Sequence, residues 1–129
     1  SSDTNLDLGN GLADRSATLS WGDTSDRLLL TVYWEAVQPV EHDYSVAVHL
    51  VAHDPPRGGE DVLAQSDSVH PVMGWYPTSQ WEAGEVVRDD HLLNVSSDAT
   101  PVAVRVGMYW VDGSGAFVNT EWLSLPIPK

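Results

Sequence analysis

Apolar and polar residues alternate with a period of two along much of the chain, most strongly in three runs. In Leu28 to Ala36, the residues Leu28, Leu30, Val32 and Trp34 fall on one face, and Leu29, Thr31, Tyr33 and Glu35 on the other. That is the pattern of a half-buried strand. Tyr44 to Ala52 repeats it, setting Tyr44, Val46, Val48 and Leu50 against Ser45, Ala47, His49 and Val51. Val102 to Val111 is the third run, with Val102, Val104, Val106, Met108 and Trp110 opposed to Ala103, Arg105, Gly107 and Tyr109. Gln38-Pro39 ends the first run, and Asp54-Pro55-Pro56-Arg57-Gly58-Gly59 ends the second, because proline removes ladder donors and glycine favours turns. Asp112-Gly113-Ser114-Gly115 marks a hairpin that returns through 116–118. Weaker strand signals lie at Ala17 to Trp21, read as an edge strand, at Asp61 to Ser66, at Val86 to Val95 and at Trp122 to Ile127. No segment carries an amphipathic helical period. The pattern predicts an all-β fold, a two-sheet antiparallel β-sandwich of jelly-roll or immunoglobulin-like type with seven to eight strands.

Between the second and third strong runs lies a different kind of segment. Gln65 to Asp89 gathers Trp75, Pro77 and Trp81 into a few residues without any period. Linkers are rich in glycine, serine and charge, whereas large aromatics left in water cost free energy. The segment is therefore expected to cross and pin a packed core, with one helical turn near Thr78 to Trp81. Trp81, ahead of a Glu-Ala-Gly turn, is the expected buried anchor. Trp75 and Tyr76, flanking the most turn-like part, are expected to leave one ring exposed as a stacking platform.

Composition narrows the possibilities further. At 129 residues the chain is long enough for one domain with its own core. The polar start leads to the expectation that 1–15 is disordered or linker-like and that 16–129 forms the single domain. There is no cysteine, so thiolate zinc sites and cysteine nucleophiles are excluded. A net charge of -13, from 19 acidic and 6 basic residues, argues against nucleic acid as a partner, since no basic patch could displace counterions. No apolar run approaches the roughly 20 residues of a membrane span, so no direct membrane insertion is expected of these residues.

Candidate chemistry is sparse. His49 and His53 would stand roughly 13 Å apart along a strand, too far for one metal ion. His42, His70 and His91 stand singly at loops or strand ends, and Asp89-Asp90-His91 has no spacing partner. Glu82 and Glu85 lack the second constraint of a glycosidase pair, and Asp112-Gly113-Ser114-Gly115 lacks the remaining oxygen ligands of a calcium loop. The expectation is no catalytic residue, no metal and no cofactor. The outward faces of the three strong strands hold more interest. Thr31, Tyr33, Glu35, His49, Arg105 and Tyr109 combine rings with a carboxylate and a guanidinium, the mixture that binds sugars through C–H faces and hydroxyls. That site requires the three strands to be neighbours. Otherwise the same residues form an ordinary sheet surface with pairs such as Glu35 with Arg105.

One resemblance adds to this. The order Tyr33-Trp34, Asp43-Tyr44-Ser45-Val46, Val48-His49-Leu50, Ala64-Gln65-Ser66-Asp67, Gly74, Pro77-Thr78-Ser79-Gln80-Trp81, Gly84-Glu85-Val86-Val87 and Val106-Gly107-Met108-Tyr109 runs from about residue 28 to 118. It resembles the C-terminal, extracytoplasmic β-sandwich domain of bacterial membrane glycosyltransferases of the dolichyl-phosphate-mannose mannosyltransferase type. The Pro-Pro and Gly-Gly insertion at 55–59 and the lack of an Arg-Leu after the Gly-Ser-Gly hairpin depart from that pattern. The resemblance implies a non-catalytic accessory module on the extracytoplasmic side, tethered to the membrane in the full-length protein. Its partners would be the membrane-embedded glycosyltransferase portion and a glycan or glycosylation acceptor. Two other readings stand beside it: a purely structural or protein-interaction domain packing on its membrane partner or a second copy, and an independent hydrolase.

Overall fold

A computed structural model describes residues 5–128. Among them nine strands form two antiparallel sheets, the all-β sandwich that the alternation predicts. The first sheet has the order β1-β2-β3-β6, built from β1 (Leu6–Gly9), β2 (Leu12–Trp21), β3 (Arg27–Ala36) and β6 (Val86–Asn94). The second has the order β5-β4-β7-β8, with β5 (Val62–Gln65), β4 (Ser45–Val51), β7 (Ala103–Val111) and β8 (Phe117–Asn119). A short β9 (Leu123–Pro126) pairs with β7 along the edge that β8 also uses, so the two lie end to end. Most of the predicted inward residues fill the core: Leu28, Leu30, Val32 and Trp34 from one sheet meet Val46, Val48, Leu50, Val104, Val106 and Met108 from the other, all buried. Val102, which precedes β7 and lies outside the paired strand, is exposed, and Trp110 is only partly buried.

The start of the chain differs from expectation. Residues 1–4 lie outside the described part, but the rest of the segment expected to be linker-like contributes β1 and the first four residues of β2. Leu8, Leu12, Ala13 and Asp14 are buried there. The strand expected at the sheet edge over Ala17 to Trp21 is the second half of β2; β1 pairs only with Leu12 to Asp14, so Ala17 to Trp21 pairs with β3 on one side and lies at the edge on the other, as expected. Polar residues of the outward face, such as Asp7 and Arg15, masked the alternation. Counting β1, the sandwich has one strand more than the seven or eight expected.

The crossing from β5 to β6 closes one side of the sandwich. Ser66 and Ser68 first continue the β4 ladder by donating to Val48 O and Val46 O. Thr78, buried in a single 3-10 turn, accepts from Tyr44 N at 3.0 Å and donates to His42 O at 2.6 Å. Trp81 is 3% exposed and joins the core, its indole N–H donating to Tyr76 O at 3.1 Å. Tyr76 packs beside it and donates to the Glu85 carboxylate at 2.9 Å. Trp75, by contrast, is 84% exposed.

A buried carboxylate ties this segment to the first sheet. Asp89 of β6 points inward, where Oδ1 accepts from Val72 N at 2.8 Å and Oδ2 accepts from Trp34 Nε1 at 3.1 Å and His91 Nε2 at 2.9 Å. With Nε2 donating to the carboxylate, Nδ1 of a neutral His91 is left to accept from Ser66 Oγ at 3.3 Å. The Val72 anchor matters because Val72, Met73 and Gly74 all take left-handed backbone angles, φ 58°, 56° and 92°. A β-branched residue there costs on the order of 1–3 kcal/mol, so the surroundings must hold it in place.

At the edge of the second sheet, Asp61 is buried at the entrance to β5 and accepts from Arg57 through both backbone N, at 2.9 Å, and Nε, at 3.1 Å. The hydrogen bond from the Arg57 side chain holds the Asp61 carboxyl below its ordinary pKa.

Two predictions follow from these anchors. Trp81→Ala is expected to destabilise the domain by about 3–5 kcal/mol, the usual effect of truncating a buried aromatic. Trp75→Ala should leave the melting temperature within a degree or two, and denaturant titration of both variants checks the contrast. Because the folded-state pKa of Asp61 is depressed, its contribution is present above the unfolded carboxyl value and is lost as pH falls through the folded value. Asp61→Asn should therefore flatten the acid limb of a stability-against-pH curve while changing little of its slope above pH ~6.

Candidate functional site

The candidate residues divide between opposite faces of the sandwich. β3 pairs with β2 and β6, whereas β4 pairs with β5 and β7, so Thr31, Tyr33 and Glu35 lie on the outside of one sheet and His49, Arg105 and Tyr109 on the outside of the other. The single composite face expected from the three strands is not formed. Period-two alternation assigns each residue to a face of its own strand, but it carries no information on which strands share a sheet. The suggested pair of Glu35 with Arg105 is accordingly absent. Glu35 accepts from Arg15 at 2.5 Å, and Arg105 stands 3.5 Å from Asp54. On the first sheet Thr31 donates to Asp90 at 2.5 Å, and Arg88 also donates to Asp90 at 3.1 Å. Hydrogen bonds from these two outweigh burial and hold the Asp90 carboxyl below its ordinary pKa. That face is a web of cross-strand pairs.

The outer face of the second sheet is built differently. Ala47 and Gly107 stand directly opposite each other in the β4–β7 register, giving a floor with almost no side-chain height. His49 and Arg105 are paired on one flank, Ser45 and Tyr109 on the other. The indole of Trp122 lies over this floor. A Cβ at Gly107 would meet its ring carbons Cδ2 and Cε2 at 2.5 and 2.6 Å, so the ring occupies the space that glycine leaves open. His49 tilts against the indole at 5.4 Å between ring centroids, and the Arg105 guanidinium carbon lies 5.4 Å from its centre. Across the groove, Tyr109 meets Phe117 edge to face at 5.4 Å, and Phe117 is 68% exposed.

Chain routing explains how Trp122 gets there. Between β8 and β9 the ladder on β7 is interrupted, and Thr120 fills the gap: Met108 N donates to Thr120 Oγ1 at 3.0 Å, and Thr120 N donates to Met108 O at 2.8 Å. The Thr120 hydroxyl in turn donates to Glu121 O. That bridge lets residues 121 and 122 bow outward before β9 resumes pairing at Leu123. The resulting groove encloses about 280 Å³ and is lined by Ala47, His49, Gln65, Asp67, Tyr109, Phe117, Asn119 and Trp122. Asp67 lies 3.6 Å from His49 Nε2 and accepts from Val48 N at 3.1 Å, which anchors one carboxylate oxygen on the rim. The arrangement offers ring faces to apolar surface and carboxylate, amide and imidazole groups to hydroxyls. Arg105, engaged by Asp54 and by the indole, presents no free cation to it.

Three expected site residues, His49, Arg105 and Tyr109, thus belong to this groove or its flank, while Tyr33 and Glu35 do not. Trp75 and Tyr76 sit on the crossing at the side of the sandwich, and Tyr76 is committed to Glu85. Trp122, Phe117, Asp67, Gln65 and Asn119 were missed. One signal was available: a glycine inside a central strand marks a place where something approaches the backbone closely. The Asp112 turn spends its carboxylate locally, accepting from Ser114 N, Ser114 Oγ and Ala116 N. Among the described residues no group of three or more His, Asp or Glu side chains is placed to hold a metal ion.

Gly107→Ala tests the cradle. The new methyl would have to displace an indole, and overpacking of this kind costs about 1–3 kcal/mol. The expected result is a lower denaturant midpoint together with increased quencher access to Trp122, read in a background where the exposed Trp75 and the half-buried Trp21 and Trp110 are replaced by phenylalanine.

Compared with family models, with curated proteins and with solved structures, the chain matches none.

Proposed function

We propose that this domain is a non-catalytic accessory module that recognises a glycan, or the acceptor being glycosylated, on the extracytoplasmic side of a membrane glycosyltransferase. The observation that carries the recognition part is the Trp122 indole laid over Gly107 and faced by Tyr109 and Phe117, with Asp67, Gln65 and Asn119 around it. Sugars present an apolar C–H face and a rim of hydroxyls, and protein sites meet them with a fixed ring and a few convergent polar groups. The attachment to a glycosyltransferase rests on the sequence resemblance centred on the crossing, from Pro77-Thr78-Ser79-Gln80-Trp81 to Gly84-Glu85.

Charge narrows the ligand. The rim holds Asp67 and no unengaged cation, and the chain as a whole carries -13. A neutral oligosaccharide fits this field, whereas a uronate or phosphosugar would be repelled.

Titration calorimetry with neutral mannose- and glucose-based oligosaccharides tests the reading. Trp122→Ala and Phe117→Ala are each expected to weaken binding about tenfold or more, given the aromatic surface withdrawn from the ligand. Phe117 is exposed enough that its loss should not unfold the domain, and Tyr33→Ala on the opposite face serves as the unaffected control. Affinity that survives both groove variants, or that falls with Tyr33→Ala, would move recognition off this face.

A further inference from the structure

The turn at the start of the crossing carries a second feature that the groove does not use. Within Val69 to Trp75, three apolar side chains stand in solvent: Val69 is 69% exposed, Met73 77% and Trp75 84%. The backbone beneath them is held. Gly74 N donates to His70 O, Trp75 N to Val72 O and Tyr76 N to Pro71 O, and Val72 N reaches the buried Asp89 carboxylate. The side chains are therefore presented by a fixed scaffold.

Charge sets this turn apart from the rest of the surface. Residues 68–81 contain no Asp, Glu, Lys or Arg, and they form the longest stretch without a carboxylate in a chain that has 19 acidic residues. Elsewhere the acidic surface repels anionic assemblies, but here it is interrupted by exposed Trp, Met and Val. We propose that the turn is an interfacial anchor that seats in the headgroup region of an electrically neutral, zwitterionic lipid surface.

Three considerations favour that occupant. Tryptophan combines a large apolar ring with one N–H donor and settles at the boundary between headgroups and acyl chains. Three side chains on a single turn present far less area than the roughly 800 Å² per partner of a stable protein interface. A fluid boundary needs no complementary socket, so so small an element can use it where a rigid protein surface would return little. The absence of Lys and Arg removes any gain from anionic lipid, and the surrounding carboxylates oppose it. The contact is peripheral, a seat at the surface, since no helix among the described residues is long and apolar enough to cross a membrane.

Flotation with phosphatidylcholine vesicles, and with vesicles containing equal parts phosphatidylcholine and phosphatidylglycerol, provides the test. The wild-type chain is expected to float with phosphatidylcholine, with a blue shift in tryptophan emission, and to bind the anionic mixture less. Trp75→Ser should lower the partition coefficient about tenfold or more, Met73→Ser should lower it by a smaller factor, and neither should alter the melting temperature. Phe117→Ser, which changes the other exposed ring, should leave partitioning unchanged, which separates this proposal from glycan recognition. No partitioning by wild type, partitioning indifferent to Trp75→Ser and Met73→Ser, or preference for the anionic mixture would each overturn it. Concentration-dependent dimerisation that disappears in Trp75→Ser would also overturn it, assigning the turn to a second copy of the chain.

Discussion

Asp89 occupies the side wall of the sandwich as an acceptor, and the path of the chain from β5 to β6 depends on it. A carboxylate removed from water loses several kcal/mol of hydration unless donors replace it. Here the Trp34 indole, the His91 ring and the Val72 amide supply them. Trp34 belongs to the core of the first sheet, and Val72 belongs to the strained turn of the crossing. The same two oxygens therefore join a fixed body to a segment with left-handed backbone that would otherwise relax. His91 extends the connection to Ser66, at the end of the β5 ladder, so both edges that flank the open side are in contact through polar groups. A hydrophobic residue at 89 could fill the volume, but it would leave the Val72 amide and the indole without partners and the turn without its tether.

Much of the architecture was legible in the pattern of residues. Strands β3, β4 and β7 fall within one residue of the alternating runs and β6 within one of its weaker signal. Most inward members of the runs are buried, whereas Val102 at the start of the third run is exposed and Ala47, Val51 and Ala103 of the outward sets are buried. Trp81 and Trp75 separate as the local chemistry suggests, one beside a turn that folds it back and one in a segment with no room to bury it. The pairing of strands was not legible. Which of Tyr33 and Tyr109 shares a surface with His49 is decided by whether the chain after Ala36 stays in its sheet or crosses to the other, and the 37–44 connection carries no local signal of that choice. β1 escaped notice for a related reason. Four residues with a glycine and an aspartate give too short a pattern to rise above the background of a polar terminus.

The groove escaped for a different reason, because its central ring is placed by tertiary contact alone. Trp122 follows Thr120-Glu121 in a stretch with no regular structure of its own, and nothing in its neighbours says that it will lie on Gly107. The information is split between two sites fifteen residues apart: an absent side chain on a central strand and a bulky one beyond the last hairpin. Each is unremarkable alone. Together they produce a flat indole beside Ala47 and Tyr109, and this is what distinguishes the outer face of the second sheet from that of the first, where Arg15 with Glu35, Thr31 with Asp90 and Arg88 with Asp90 cover the surface.

The bridging role of Thr120 bears on how that ring behaves over time. β8 and β9 each hold only a few residues of β7, and they meet at a hydroxyl in place of a continuous ladder. Short edge segments open locally at a free energy well below that of global unfolding. Opening of β9 alone would lift Trp122 from its bed while β4 and β7 stay paired, and amide exchange at Val104 and Val106 would then run faster than at Ala47 and His49, whose N–H groups face β7. Two ties limit such excursions: Glu121 N donates to Leu8 O in the first sheet, and the Trp21 indole donates to Pro128 O beyond the end of β9. The C-terminal edge is in this sense a clasp, fastened to the opposite sheet at both ends, and those two ties are what keep the indole seated on Gly107.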